Sequence, residues 1–324
     1  MSSRVAALAL CVLVAGAAIA VPAEPRRYRI GFANLTEDPA ATLEATGFTG
    51  AQVRESFVLA ARGLPVDLVF YDNRRDPARA LANAEAAVAD KVELLIEYND
   101  DLRANAAIAE RLKAAGIPGL AINYPVPGAQ LYTADNAEAG RIAGRALAEF
   151  APQWKGEKLV AVLVGDWARR DERVAARAAG VREELSRGLK GVKVVRVGTG
   201  DLARFAGANP GAKLLVAAMS DPIALAAKEA FESAGRAFDA VIVSQGLDPT
   251  MHGNQNDKRE IDPNNRGGIV LGSVAFYLDR YGYEVLPLAL RMLRGEPVPA
   301  RTVTRHLLVT AANVWREYPP TDMQ

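Results

Sequence analysis

The chain has 324 residues, enough for two domains of roughly 100–200 residues each. Lys and Arg total 39 against 38 Asp and Glu, a net charge of +1, so no strong field draws the chain to nucleic acid or anionic membrane. Half of the residues are hydrophobic and 24% are charged, which is ordinary for a soluble globular protein and excludes a disordered or fibrous class.

Arg4, the apolar run 5–19 and the small-residue site Ala18-Ile19-Ala20 read as a cleavable signal peptide over residues 1–23, with Val21-Pro22-Ala23 as a second cleavage option. The run is short for a bilayer-spanning helix of about 20 residues. Cys11, the one cysteine, falls inside it, and Leu10 before it is not the small residue that lipid attachment requires. The exported chain is then expected to carry no disulfide and no cysteine metal site.

Strands and helices alternate from there. Residues 29–34 read as a strand, and 50–63 as a helix with Val53, Phe57 and Leu59-Ala60 facing inward. A strand at 66–71 ends in Asp72-Asn73, and Pro77 opens a helix to 90, in the first turn where its missing N–H is harmless. Residues 92–98 are almost continuously apolar, as in a parallel strand covered on both faces. A helix over 101–115 stops at Gly116, which takes a left-handed cap without a Cβ penalty. Ile117-Pro118 opens a short apolar strand ending in Asn123-Tyr124. A Pro/Gly-rich passage and a second short strand lead to Asp135-Asn136, and the following AEAGRIAGRALAEF favours helix.

After Phe150 the rhythm restarts, with strands at 159–164, 192–197, 214–219 and 240–243 and helices at 172–189 and 222–234. Residues 252–268, rich in Asn, Asp and Gly, read as a loop. A strand at 269–275, a helix at 281–293 and a strand at 302–309 close the chain. Two runs of alternating βα units predict an α/β fold of two doubly wound parallel-sheet lobes.

The segment 113–140, with Gly116-Ile117-Pro118, its strand and then Asp135-Asn136 before a helix, resembles the periplasmic sugar-binding proteins of ribose-binding type, the type I solute receptors of ABC importers. The resemblance covers about residues 30–313. It implies three hinge crossings, expected near residues 125–130, 275–277 and 296–299. The N-terminal lobe is then 24–125 plus 277–297, and the C-terminal lobe 126–276 plus 298–324. It also implies a monomer in the periplasm, a small-molecule ligand, an inner-membrane ABC permease as partner, and no cofactor, metal or nucleic acid.

Ligands of open α/β sheets bind beyond the carboxyl ends of strands, so the polar residues at those ends are the candidates. Asn34 is either a ligand contact or an Asx-turn residue. Asn123-Tyr124 stands where the family resembled has an Asp-Arg pair. Asp135 either faces ligand, leaving Asn136 to cap the helix, or is itself the cap. Trp167 offers a stacking surface at a strand end, although core packing is the commoner fate of tryptophan. Arg177 matches a sugar-contacting arginine of the resembled family, while Arg169, Arg170 and Arg173 read as a solvated face with Asp171 and Glu172. Ser220 replaces an asparagine, and Asp221 after it reads as a helix cap. Either Gln245 or Asp248 stands for the aspartate of the next motif, and Phe276 replaces a glutamine.

Four of these positions, Asn123, Tyr124, Ser220 and Phe276, lose charge or hydrogen-bonding capacity relative to the family pattern. That predicts a sugar-like ligand of reduced polarity, or a more apolar cyclic compound. His252 and His306 are the only histidines, neither in triad nor metal spacing, and no phosphate-binding glycine fingerprint occurs, so no enzymatic activity is expected. Delivery to an importer and signalling to a sensor kinase or chemoreceptor remain two readings of one ligand-driven closure.

Overall fold

The computed structural model describes residues 26–252, 259–265 and 268–319. The signal-peptide reading, with Cys11, and positions 253–258, 266–267 and 320–324 lie outside the described residues. The first sheet holds β1 (Tyr28–Asn34), β2 (Val66–Asp72), β3 (Leu94–Glu97), β4 (Gly119–Ile122), β5 (Gln130–Thr133) and β11 (Arg301–Val303), in the order β11-β5-β4-β3-β1-β2. All its pairings are parallel. The second holds β6 (Lys158–Val164), β7 (Lys193–Val197), β8 (Ala212–Ala218), β9 (Ala240–Gly246), β10 (Val270–Ala275) and β12 (Leu308–Val309), in the order β12-β10-β9-β8-β6-β7. Only β12 in it runs antiparallel, against β10. These are the two doubly wound lobes expected from the alternation.

Each lobe sandwiches its sheet between helices. In the first, α1 (Gly50–Ala61) and α9 (Tyr281–Leu293) cover the face of Ile30, Phe32, Leu94 and Ile96. On the other face, α2 (Pro77–Ala89) and α3 (Leu102–Ala115) bring Ala84 and Ile108 against Ala33 and Leu95. Side-chain caps fix where these helices start: Thr49 and Gln52 form a capping box on α1, Asp76 caps α2 and Asp101 caps α3. Gly116 ends α3 at φ 67° as the sequence predicts.

In the second lobe, α4 (Asn136–Phe150) and α5 (Glu172–Gly188) cover Ala161, Leu163 and Leu215. Opposite them, α6 (Leu202–Ala208) and α7 (Asp221–Ser233) cover Val160, Val162 and Val216. Two further single turns, α8 (Pro249–His252) and α10 (Val314–Glu317), follow β9 and β12. Glycines let α4 and α5 cross backbone to backbone: a Cβ on Gly140 would lie 2.0 Å from the Arg177 carbonyl oxygen, and one on Gly180 2.2 Å from that of Ala137. One apolar cluster runs from Phe32 and Phe57 through Tyr132 and Ala143 to Leu215 and Val243, so the lobes share a core at their junction.

The crossings fall later than expected. Because β5 pairs with both β4 and β11, residues 130–133 and 301–303 belong to the first sheet and not to the C-terminal lobe. The first crossing is thus Ala134-Asp135 and the third lies between Val303 and Leu308, in place of 125–130 and 296–299. The run 302–309 is two short strands in different sheets, not one. Between them Thr304 bonds back to the first sheet, its N–H to Thr133 O and its hydroxyl to Tyr132 Oη. His306 then ties all three crossings: its Nε2 accepts from the Asp135 N–H at 3.0 Å, and Nδ1 lies 2.9 Å from the Ala275 carbonyl. Burial lowers its pKa, in keeping with a neutral ring that donates from Nδ1.

Candidate functional site

Strand order reverses at β1, flanked by β2 and β3, and again at β6, flanked by β7 and β8. These switch points open crevices at the strands' carboxyl ends, because connections leave to opposite faces there. Residues 35–49 leave the first crevice, and the chain from Gly165 to α5 leaves the second. The two segments meet between the lobes.

Glu44 is the centre of that meeting, 3% exposed in a turn after β1. Its Oε1 accepts from Tyr98 Oη at 2.5 Å, and its Oε2 lies 3.2 Å from Arg173 Nη1 across the cleft. The same Arg173 nitrogen donates to Tyr124 Oη at 2.7 Å, and its Nε and Nη2 hold Asp171. Burial pulls the Arg173 pKa down, but the Asp171 bond and the charge of Glu44 overcome it, so Arg173 stays fully charged. Arg173 is therefore not part of a solvated face. It stands one helical turn before Arg177 on the same face of α5, the i, i+4 relation that marks such pairs in a sequence.

Arg177 is completely buried. Its Nε donates to Asn136 Oδ1, Nη1 to the carbonyls of Ala45 and Met219, and Nη2 to the carbonyl of Glu44, all within 2.8 Å. The guanidinium carbon lies 4.3 Å from the centre of the Phe276 ring, a cation–π contact. Burial lowers the pKa to about 10, leaving the side chain charged at neutral pH.

Of the other sequence candidates, Tyr124 bonds Arg173, Phe276 packs on Arg177, and Asn123 reaches Tyr98, the partner of Glu44. Asn123, at φ 59°, donates towards Tyr98 Oη and Tyr281 Oη and accepts from the Ala134 N–H. Ser220 lines the cleft as N-cap of α7 without bonding the helix through its side chain.

Other candidates sit elsewhere. Asp135 caps α4 by accepting from the Glu138 N–H, and Asn136 holds Arg177, the reverse of the division in which Asp135 faces ligand. Trp167 donates to Val197 O at the end of β7 and lies under Arg196, which packs it against its own lobe. Asn34 turns to the Gly50 carbonyl beneath α1. Gln245 is fully buried, with Oε1 lacking a hydrogen-bond partner. Asp248 is also fully buried: Oδ1 accepts from Thr250 while Oδ2 has no partner, and a Cβ on Gly47 would meet that oxygen at 1.7 Å.

Two buried acids support the cleft from below. Asp221, expected as a helix cap, instead accepts from the hydroxyls of Ser244 and Ser273 and from the Asp248 N–H. Burial first and the Asp248 charge second push it up to about 7. Glu97, at the end of β3, accepts from Asn73 Nδ2 at 2.8 Å, and burial pushes its pKa up to about 8 from the ordinary carboxylate value of 4.5. The folded state therefore holds a proton here that the unfolded state releases. The stability tied to it is complete below about pH 4.5 and is lost as pH rises through about 8. Glu97→Gln is expected to melt with wild type at pH 5 and several degrees above it at pH 8.5; melting curves that stay parallel across that range would refute the assignment.

A cavity of about 230 Å³ opens beside the arginines, lined by Thr42, Glu44, Asp171, Arg173, Met219 and Ser220 among others. A larger groove of about 460 Å³, bounded by Ala109, Lys113, Ile117, Val126 and Pro127, lies at the outer edge of the first lobe, away from both switch points. Among the described residues no cluster of three His, Cys, Asp or Glu is placed to hold a metal ion, and no helix is long and apolar enough to cross a membrane.

Two α/β lobes with three crossings and a charged interlobe cleft define a hinged ligand-binding architecture. The periplasmic binding protein domain family matches residues 45–297, most of the chain, and the protein belongs to that family. No curated protein sequence matches it. Among solved structures, the fold is similar to a Mycobacterium smegmatis protein in complex with β-D-fucofuranose, at 22% identity and TM-score 0.64, covering 91% of this chain and 95% of that one. It is also similar to an ABC transporter periplasmic solute-binding protein from Actinobacillus succinogenes with bound D-allose, at 16% identity and TM-score 0.68, covering 90% and 100%. The fructose-binding periplasmic domain of a hybrid two-component system matches at 19% identity and TM-score 0.63, covering 90% and 93%.

Proposed function

We propose that the protein is an exported, monomeric receptor for a small polyhydroxylated compound, a sugar or polyol, which it binds between its lobes in the periplasm and presents to an ABC permease. The observation that carries this reading is the convergence of Glu44, Tyr124, Asp171, Arg173 and Arg177 on one interlobe cleft beside a cavity of about 230 Å³. Hydroxyl groups donate and accept at once, so a carboxylate and a guanidinium on opposite walls satisfy both halves of each.

The departures at Asn123, Tyr124, Ser220 and Phe276 predict a less polar ligand, but the geometry weighs against that. Glu44 and Arg173 bring a carboxylate and a guanidinium to Tyr124, restoring the chemistry of the missing Asp-Arg pair from two other segments. The bound ligands of the neighbours, β-D-fucofuranose and D-allose, are of the class this cleft suits.

Isothermal calorimetry against pentoses, hexoses, inositols and alditols, with apolar cyclic compounds alongside, tests the reading. Heat is expected from at least one polyhydroxylated compound; binding confined to the apolar set would overturn it. A sensory role is the second reading, supported by the likeness to a receptor domain of a two-component system. Co-purification with a permease or with a kinase separates the two.

A further inference from the structure

The chain has nine lysines against thirty arginines, and five of the nine stand at one end of the second lobe. We propose that this end is a docking surface for an anionic phospholipid bilayer, with Phe238 entering the headgroup region and the lysines facing lipid phosphates. The inference goes beyond the ligand reading and takes from it only the periplasmic location, beside the inner membrane.

Topology builds the surface. Strands β6, β7, β8 and β9 are parallel neighbours, so all four enter the sheet from the end opposite the cleft. Lys158 begins β6 beside Ala212, Lys193 begins β7 beside Val160, and Lys213 is the second residue of β8. Lys155 and Lys190 lie in the loops that lead into β6 and β7. At about 4.8 Å between strands, the row from β7 to β9 is roughly 14 Å across. The four entering loops and the first two residues of each strand hold these five lysines and Arg236 against Glu157 and Asp239. Asp239 is taken by Lys213 and Arg236, and among the described residues Lys155, Lys158, Lys190 and Lys193 are exposed and outside any ion pair.

Phe238 stands among them, 90% exposed, on a braced turn. Arg236 donates to Asp239 and to the carbonyls of Ala206, Asn209 and Ala212, and Lys213 Nζ donates to the Phe238 carbonyl at 3.2 Å. The same Nζ lies 5.8 Å from the centre of the Trp154 ring, next to Lys155, which makes the patch continuous from Phe238 to β6. An aromatic ring held outward beside lysines suits a bilayer interface, where the ring enters the headgroup boundary and the charges meet phosphates. A lysine ammonium is a point charge on a flexible stem and needs no fixed partner geometry, which fits a fluid array of phosphates better than a folded acidic partner. The net charge of +1 removes any long-range pull. A contact patch instead acts within a Debye length of about 10 Å, and each lysine near an anionic bilayer strengthens binding about fivefold. The cleft, at the opposite end of the strands, stays free.

The experiment floats the exported protein with vesicles of phosphatidylglycerol and phosphatidylcholine in equal parts, and with phosphatidylcholine alone, at low salt. At least about tenfold more protein is expected with the anionic vesicles, and about 0.5 M salt should abolish the difference. Reversing two exposed lysines together, Lys158→Glu with Lys193→Glu, should bring flotation down to the neutral-vesicle level at an unchanged melting temperature. Phe238→Trp should add emission that moves to the blue on anionic vesicles, read as the difference from wild type, and it carries the test if the reversed protein does not fold. Equal flotation with both vesicles, flotation that survives the reversals, or an added tryptophan whose emission does not move would overturn the proposal. A DNA duplex that binds as tightly as the anionic vesicles at the same salt would also overturn it, since the patch would then be a general polyanion site. Neither readout involves the cleft, so their failure leaves the polyol reading standing, and absent polyol binding leaves them standing.

Discussion

Replacing Arg177 with methionine is expected to cost about 3–5 kcal/mol of stability, a third or more of what a typical domain has. The side chain is completely buried, and its loss strands the carbonyls of Glu44, Ala45 and Met219 together with Asn136 Oδ1. A buried acceptor without a donor costs about 1–3 kcal/mol, and not all four can relax towards water. Arg177→Lys keeps the charge but not the fork, and should recover only part of the loss. Urea denaturation checks both; an Arg177→Met variant within about 1 kcal/mol of wild type would show that the guanidinium is not the tie between the lobes.

The second large effect is expected from Gly180→Ala. Its added Cβ would stand 2.2 Å from the Ala137 carbonyl oxygen and 2.7 Å from the Arg141 nitrogen, both backbone atoms that cannot rotate aside. Helices α4 and α5 must separate, and overpacking of this kind costs about 1–3 kcal/mol or more, against about 1 kcal/mol that alanine returns in helix propensity. A net loss of about 2 kcal/mol is predicted, and with it weaker ligand binding, because α5 carries Arg173 and Arg177 and the facing Gly140 touches the Arg177 backbone itself. Gly207→Ala, in α6 with no atom within 4 Å of the new Cβ, is the control and should be neutral or slightly stabilising. Equal melting temperatures for the two variants would contradict the close helix crossing.

The architecture was legible because it rests on local signals. Apolar runs such as 92–98 and the stops at Gly116 and Asp135 follow from periodicity and backbone chemistry, and the strand alternation they mark is what the two sheets show. The crossings were harder. The run 302–309 reads as one strand, and only Thr304 and the half-buried His306 between its ends betray that the chain changes sheets there.

The site divided in the same way. Arg177 could be found from its match to the resembled family, in the glycine-containing helix that follows a strand. Glu44 could not, since its importance comes from Arg173, 129 positions away in sequence, and from an irregular turn that no periodicity describes. Arg173 was hidden in a run of charge that resembles a solvated face, although its spacing from Arg177 places the two on one side of α5. Asp221, an acid at a helix start, reads in the sequence as the cap that such an acid most commonly is. What placed it under the cleft instead is a pair of serines on β9 and β10, which strand pairing alone brings together.

The central claim is that Glu44 and Arg173 supply the charges with which this cleft holds a polyhydroxylated ligand. The most direct test is the affinity of Arg173→Met for whichever sugar or polyol binds the wild type best. Arg173 is about one-third exposed, so its removal should leave the fold intact while deleting a charged donor from the cleft wall. A loss of about 100-fold in Kd, or roughly 2.7 kcal/mol, is predicted. An unchanged Kd in a folded Arg173→Met protein would contradict the account.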